Sequence, residues 1–236
     1  MQVDLIFHLQ QTTLPSHEEH LRYLWKVAKV LEQFGFPIEN WYPSASTQKR
    51  SLANPAFDRN GPTPVAVGML RAKDKRVALD NYRITSVWNG VSKGRACAFS
   101  VSLSTDAGLP RCVLHLGLYE VDELDHPINM KRFIFGLLDI WPAACEATAG
   151  PLMYYTMHQV FPRRPGAGWM LYLPRPITAN ELPEAAELVP VMHGHKQLGT
   201  LIVSVADRVF SVDEPEHIKI ANAIEVRLAD QDILPR

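Results

Sequence analysis

The sequence contains few cysteines. Cys97, Cys112 and Cys145 are the only three in 236 residues, and no two of them have the spacing of a zinc-binding pair. Small secreted domains are stabilised by a dense, even set of disulfides, whereas this set is odd and sparse. It therefore predicts reduced thiols, a cytoplasmic location, and neither a disulfide scaffold nor a zinc finger.

Long apolar runs are also missing. No stretch approaches the roughly 20 apolar residues that a membrane-spanning helix requires. The first residues, MQVDLIFHLQQTT, lack a basic segment, and His8 and Gln10 interrupt their apolar run. We therefore expect neither a secretory signal peptide nor a membrane partner.

Charge of one sign is not in excess. Lys and Arg total 24, Asp and Glu total 25, and the formal net charge is -1. Dedicated nucleic-acid-binding proteins usually carry a basic excess. The composition therefore predicts no direct nucleic-acid partner, although it leaves room for a local charged patch.

Motifs of established chemistry are missing as well. The sequence has no G-x-S-x-G nucleophile turn, no G-x-x-x-x-G-K-[ST] phosphate loop and no G-x-G-x-x-G dinucleotide motif. We therefore expect no catalytic residue, no bound metal and no cofactor. The expectation is a binding protein, not an enzyme.

What is present is a series of regular elements. Ser16 and Glu19 have the spacing of a capping box, and an apolar stripe at helical spacing extends from Leu21 to Phe34 before Gly35. A buried helix is predicted at 127–141, stopped by a proline, and a closing helix at 213–228. Alternating patterns predict strands at 3–9, 82–88, 95–103, 111–119, 152–161, 168–174, 186–193 and 199–206.

These elements predict an α+β fold, mainly antiparallel sheet packed by about three main helices. We expect one domain over residues 1–236, with a division into lobes at about 1–145 and 150–236 left open. Pro190 predicts that its strand lies at a sheet edge or contains a bulge.

The register of the hairpin formed by strands 95–103 and 111–119 decides which side chains share a face. If Leu103 lies opposite Arg111, the small residues of the first strand face the leucines of the second, and Phe99 meets His115. A slip of one residue would exchange the two faces.

The densest group of like charges is YEVDELDH at 119–126, which contains Glu120, Asp122, Glu123 and Asp125. It fits a solvated strand end, an acidic surface for a partner, or a metal or catalytic site, although it lacks EF-hand spacing. Close carboxylates repel one another and are costly to bury, and the nearby sequence offers only Lys131 and Arg132 as cations. We therefore expect the run to be exposed.

His193 and His195 form a second candidate metal site. Two residues apart on a strand, they would share a face and could hold an ion. The alternative is a hairpin turn with two exposed imidazoles.

A family resemblance is carried by the stretch ENWYPSASTQKRSLANPAF and by a later strand containing SVWNG. They follow a strand and a capped amphipathic helix, and they place Trp41, Phe57 and Trp88 in that frame. This layout resembles the family-52 immunity proteins of bacterial polymorphic toxin systems. The similarity is strongest over residues 1–90, and after about Gly150 it lies in the order of elements.

The resemblance implies a single immunity-type domain without enzymatic activity. Such proteins are encoded beside a toxin, bind its C-terminal toxic domain and protect the producing cell and its siblings. Toxins adjacent to this family are often restriction-endonuclease-like nucleases delivered by type VI secretion. The expected partner is thus a nuclease effector domain, and a homo-oligomer is left open.

The candidate toxin-binding residues are Glu120, Asp122, Glu123 and Asp125, because carboxylates complement the basic substrate face of a nuclease. The alternative function is a metal-assisted enzyme that uses this acidic run or the pair His193 and His195.

Overall fold

The computed structural model describes residues 1–77, 80–106 and 111–235. Its α-helices are α1 (His17–Glu32), α2 (Gln48–Leu52), α3 (Pro64–Val77), α4 (Pro127–Ile140) and α5 (Pro215–Asp230). Its strands are β1 (Gln2–His8), β2 (Tyr42–Pro43), β3 (Phe57–Asp58), β4 (Gly61–Pro62), β5 (Tyr82–Trp88), β6 (Ala96–Ser104), β7 (Arg111–Tyr119), β8 (Glu146–Gly150), β9 (Met170–Leu173), β10 (Glu187–His193) and β11 (Lys196–Val203).

The α+β class predicted from the sequence is confirmed. The strand pairs whose register is defined are antiparallel, and four of the helices have 14 or 16 residues. Within the described parts of the chain, no helix is both long enough and apolar enough to span a bilayer.

The chain divides into two compact units, each of which is discontinuous in sequence. The N-terminal unit comprises Ile6–Glu123 and Gly136–Trp141. The C-terminal unit comprises Met1–Leu5, Leu124–Phe135 and Pro142–Arg236. The expected single domain, with its lobe limits near 145 and 150, stays a prediction.

The N-terminal unit contains the strand order β7-β6-β5-β2, and α1 packs on β5 and β6. The predicted capping box of α1 is confirmed, since the Glu19 N–H donates to Ser16 Oγ (3.1 Å) and the Ser16 N–H donates to the Glu19 carboxylate (2.8 Å). His20 is buried beneath the helix, where Nε2 donates to the Val101 carbonyl (2.9 Å).

The assumed register of β6 and β7 is wrong by one residue. Phe99 lies opposite Leu116, and Ser100 lies opposite His115. The large side chains of both strands therefore share one buried face, and the small residues of β6 lie on the other face, away from that core. This register is more stable because it buries the large residues of both strands in one layer. Cys97 and Cys112 consequently share a face, and both are free thiols.

The C-terminal unit contains the strand order β10-β11-β9-β8-β1, in which residues 2–5 of β1 take part. β10 is an edge strand with a bulge between Val191 and Met192, as Pro190 predicted. The turn between β10 and β11 is closed by His193 opposite Lys196.

In the C-terminal unit one predicted strand is wrong and one strand was not predicted. Residues 152–161 do not form a strand, because a π-helix occupies Tyr154–His158. β8, with the sequence EATAG, was missed because it has no large apolar residue to reveal an alternating pattern. The buried α4 is confirmed, and it ends at Ile140, two residues before Pro142.

Candidate interaction surface

The acidic run follows β7. Glu120 adopts a φ of 51°, in the left-handed region that is unfavourable for residues other than glycine. A short 3-10 helix follows at Asp122–Leu124. Val121, just before this helix, and Leu124, its last residue, are both buried. With the two apolar side chains buried, the side chains of Glu120, Asp122 and Glu123 are exposed.

Asp125 does not join this exposed group. It belongs to the C-terminal unit, where it is half-buried. Burial lowers the pKa of the Met1 amino group, and the negative charge of Asp125 partly opposes that effect. Three of the four predicted carboxylates therefore belong to the N-terminal unit, and the fourth belongs to the C-terminal unit.

A cation that pairs with the acidic run comes from a distant part of the sequence. Arg95 Nη1 donates to Glu123 Oε1 at 2.7 Å, while the guanidinium lies 4.7 Å from the Phe36 ring centroid and donates to the Phe34 carbonyl. Of the two cations in the adjacent sequence, Lys131 does not pair with the run, since its Nζ lies 2.6 Å from a carboxylate oxygen outside it.

Glu120 and Asp122 differ from Glu123 in their ion pairing. Neither forms an ion pair with any residue in the described parts of the chain, and both are exposed. Their charges are therefore available to a second molecule, whereas that of Glu123 is already paired with Arg95.

Tyr119, the last residue of β7, is an exposed aromatic beside these carboxylates. This residue is 61% exposed. It points away from the core because it lies in the outward set of alternate β7 positions. Sequence reasoning overlooked it, although the same alternation, read in the correct register, identifies it. We define the acidic surface as Tyr119, Glu120, Asp122 and Glu123.

The two candidate histidines lie at a hairpin turn. His193 and His195 flank the turn between β10 and β11, and both are exposed. No group of three or more metal-ligating side chains occurs in the described residues, either there or in the acidic surface. The hairpin-turn interpretation of these histidines is confirmed.

A buried carboxylate that sequence reasoning missed lies in the C-terminal unit. Glu225 of α5 is fully buried and accepts hydrogen bonds from the Tyr154 hydroxyl (2.5 Å), the Ala167 N–H (2.9 Å) and the Val160 N–H (2.9 Å). Burial, and then the charge of Glu225, raise the pKa of Tyr154, so this hydroxyl remains a donor.

The Glu225 carboxylate thus connects α5 to the π-helix, to the segment after it and to the approach to β9. A signal for it exists in the sequence, because Glu225 shares one face of α5 with the apolar residues Ala221, Ile224 and Leu228. A charged residue in such a stripe indicates a buried partner set. We assign it a structural role in holding this irregular segment.

Comparison with known proteins gives a fold but no family. No protein-family model and no curated protein matches the chain. Among solved structures, the Pseudomonas aeruginosa T6SS protein PA0821 is similar to 94% of this chain and 75% of its own, with a TM-score of 0.50 and 13% sequence identity. A likeness at this identity shows a shared fold, and membership of the family-52 immunity proteins stays a prediction.

Proposed function

We propose that this protein is a non-enzymatic immunity protein of a type VI secretion system. In this proposal it binds a secreted toxin in the cytoplasm through the acidic surface, and the toxin carries a restriction-endonuclease-like DNase domain. The observation that carries the proposal is the exposed Tyr119 next to the unpaired carboxylates of Glu120 and Asp122. The fold shared with a protein named as a T6SS protein supports the setting.

The chemistry of the acidic surface fits a basic partner. A nuclease attracts phosphates, so its substrate face is positively charged, and exposed carboxylates accelerate encounter with such a face. Aromatic residues with an apolar body and a polar tip are enriched among the side chains that dominate binding energy. Tyr119 would supply that contact, and Glu120 and Asp122 would supply the steering charge.

The backbone at Glu120 supports a role for its side chain. A left-handed conformation costs a non-glycine residue about 1 kcal/mol, and glycine would adopt the observed φ of 51° without that cost. Local strain of this kind is found at binding sites, where the side chain serves a purpose other than stability.

The experiment uses the toxin domain encoded by the neighbouring gene. It is co-expressed with this protein in a bacterial host, and purified complexes are measured by surface plasmon resonance at low and high salt. Glu120→Gln with Asp122→Asn is expected to slow association at low salt about tenfold, with a smaller effect at high salt. Tyr119→Ala is expected to accelerate dissociation.

Matched controls separate the acidic surface from general charge and general apolar exposure. Asp207→Asn with Glu216→Gln removes two exposed carboxylates elsewhere, and Met192→Ala removes an exposed apolar side chain. If these variants impair binding as much as the acidic-surface variants, the proposed surface is wrong. If the toxin domain kills cells that express the intact protein, the proposed function itself is wrong.

Glu120→Gly provides a further separation. It relieves the strained backbone and removes one carboxylate, so we expect the free energy of unfolding to change by less than about 1 kcal/mol while association slows. A gain in stability without any loss of binding would show that this carboxylate has no role in recognition.

A further inference from the structure

A groove in the N-terminal unit has the opposite charge character from the acidic surface. Its volume is about 640 Å³, and α1, α2, α3 and β5 contribute to its lining. Leu21, Ala66 and Leu70 form a buried apolar floor, and Val65, which is 52% exposed, lies on the rim. An apolar floor of this size, open to solvent at an exposed valine, is a surface on which another molecule can bury apolar side chains.

Three cations line the same groove, and no Asp or Glu does. Arg50 comes from α2, while Lys73 and Arg76 come from successive turns of α3, and all three are exposed. None of them forms an ion pair with a residue in the described ranges. The Arg50 guanidinium donates to a neighbouring hydroxyl, that of Ser46 (3.1 Å).

The absence of acid along the groove has a structural cause. Asp74 is the only acidic residue of α3, and it faces away from the groove lining. Its carboxylate lies 2.7 Å from Nε of the buried Arg83 and 2.9 Å from Nε2 of His17. Because these contacts engage Asp74, nothing on α3 offsets Lys73 and Arg76.

We infer that this groove binds an acidic amphipathic segment of a protein partner. Carboxylates of the segment pair with Arg50, Lys73 and Arg76 at the rim, and its apolar side chains cover the floor near Leu70 and Val65. An apolar centre with a charged rim is the usual composition of a protein interface. The inference is independent of toxin binding at the acidic surface, because the two surfaces require partners of opposite charge.

A small-molecule ligand fits the groove less well. Small-molecule sites place a few polar groups inside the cavity to orient the ligand. Here the charged groups are all exposed, and the hydroxyls of Ser44 and Ser86 are hydrogen-bonded to each other at 2.9 Å. The groove therefore offers apolar contact and rim charge, which suit a protein segment.

The test measures fluorescence anisotropy of two labelled peptides with the full chain. One is an amphipathic peptide of about 11 residues, three helical turns, with leucines at i, i+3, i+4 and i+7 and glutamates elsewhere. The other has the same leucines and carries lysines in place of the glutamates. We expect the acidic peptide to bind, high salt to weaken its binding, and the basic peptide not to bind.

Two variants locate the binding. Arg50→Gln with Lys73→Gln and Arg76→Gln is expected to weaken the acidic peptide about tenfold. Val65→Glu, at an exposed rim position, is expected to weaken it by charge repulsion without unfolding the protein. The matched control is Arg163→Gln with Arg208→Gln and Lys219→Gln, which removes three exposed cations from the C-terminal unit.

Several results would overturn the inference. Equal binding of the acidic and basic peptides, absence of binding by both, or an equal loss in the control variant would each do so. Binding of dodecyl phosphate that Val65→Glu abolishes, without acidic peptide binding, would assign the groove to a small amphipathic anion instead. None of these outcomes affects toxin binding at the acidic surface, because no toxin is present in the assay.

Discussion

Each unit contains a fully buried titratable side chain, but the two differ in chemistry. In the N-terminal unit it is the imidazole of His20, and in the C-terminal unit it is the carboxylate of Glu225. His20 needs one carbonyl acceptor, which regular strand β6 supplies at Val101. Glu225 needs several donors, and two of them are backbone N–H groups from an irregular segment. A neutral ring is thus compatible with regular elements, while a buried carboxylate organises the backbone around it.

The largest expected loss of stability comes from removing the buried carboxylate of Glu225. Glu225→Ala leaves the N–H groups of Val160 and Ala167 without their acceptor, and the Tyr154 hydroxyl keeps only its bond to Asn222 Oδ1 (3.0 Å). Each unsatisfied buried donor costs about 1–3 kcal/mol, so the free energy of unfolding should fall by about 5 kcal/mol. Urea denaturation followed by circular dichroism measures it.

The control for this variant is Glu216→Ala on the same helix, where the side chain is exposed. Surface substitutions of this kind usually change stability by less than about 0.5 kcal/mol. If Glu225→Ala and Glu216→Ala unfold at similar urea concentrations, Glu225 does not organise its surroundings.

The next largest loss of stability is expected from truncating two buried aromatic residues, one within α4 and one just after it. Phe133 lies in the C-terminal unit and Trp141 in the N-terminal unit, and both are buried. Truncating either to alanine should reduce the free energy of unfolding by about 4 kcal/mol, through lost burial and the cavity that remains. Ile128→Ala, at an exposed position of the same helix, is the control. Thermal melts that leave the two core variants unchanged would show that this helix is peripheral.

Sequence patterns predicted the N-terminal unit better than the C-terminal unit. The bounds 82–88 and 111–119 match β5 and β7, and the capping box of α1 is present as expected. The β6–β7 register was missed because large and small residues alternate in both strands, so the pattern alone allows either pairing. Burial of both sets of large residues beneath one helix decided between them.

Prediction of the C-terminal unit from sequence was wrong where tertiary hydrogen bonds determine the backbone conformation. The run LMYYTMHQVF is apolar enough for a strand, yet Tyr154 turns inward to Glu225, which is 71 residues away. No local pattern reports a bond over that separation. β8 escaped notice because its buried residues are small.

The candidate surface was partly accessible from sequence. Repulsion between close carboxylates correctly predicted the exposure of Glu120, Asp122 and Glu123. The Arg95–Glu123 pair was not accessible, because it joins residues 28 positions apart through the fold. Tyr119 was accessible in principle, since it continues the outward positions of β7.

The buried imidazole of His20 predicts that the free energy of unfolding depends on pH. Burial, the largest cause, lowers the pKa of His20 from 6.5 to about 3, although its bond to the Val101 carbonyl opposes this. Between these values the unfolded chain binds a proton that the folded protein does not, so stability falls as pH decreases through that window. Lowering the pH from 7 to 5 should cost about 2 kcal/mol from this residue.

Chemical denaturation at pH 7 and pH 5 measures this loss. His20→Gln cannot titrate, so its stability should depend less steeply on pH, while His193→Gln, at an exposed position, should retain the steep dependence. Parallel curves for the intact protein and His20→Gln would show that the imidazole is protonated inside the fold.

The smallest expected effect concerns a charged pair at the surface. Arg95 and Glu123 are 39% and 44% exposed, with 2.7 Å between Nη1 and Oε1. Water already solvates both groups, so a double-mutant cycle with Arg95→Gln and Glu123→Gln should give a coupling energy of about 0.5 kcal/mol. Added salt should reduce it further. A coupling of several kcal/mol would instead show that an exposed carboxylate can organise its surroundings as the buried Glu225 does, so that burial would not distinguish the two carboxylates.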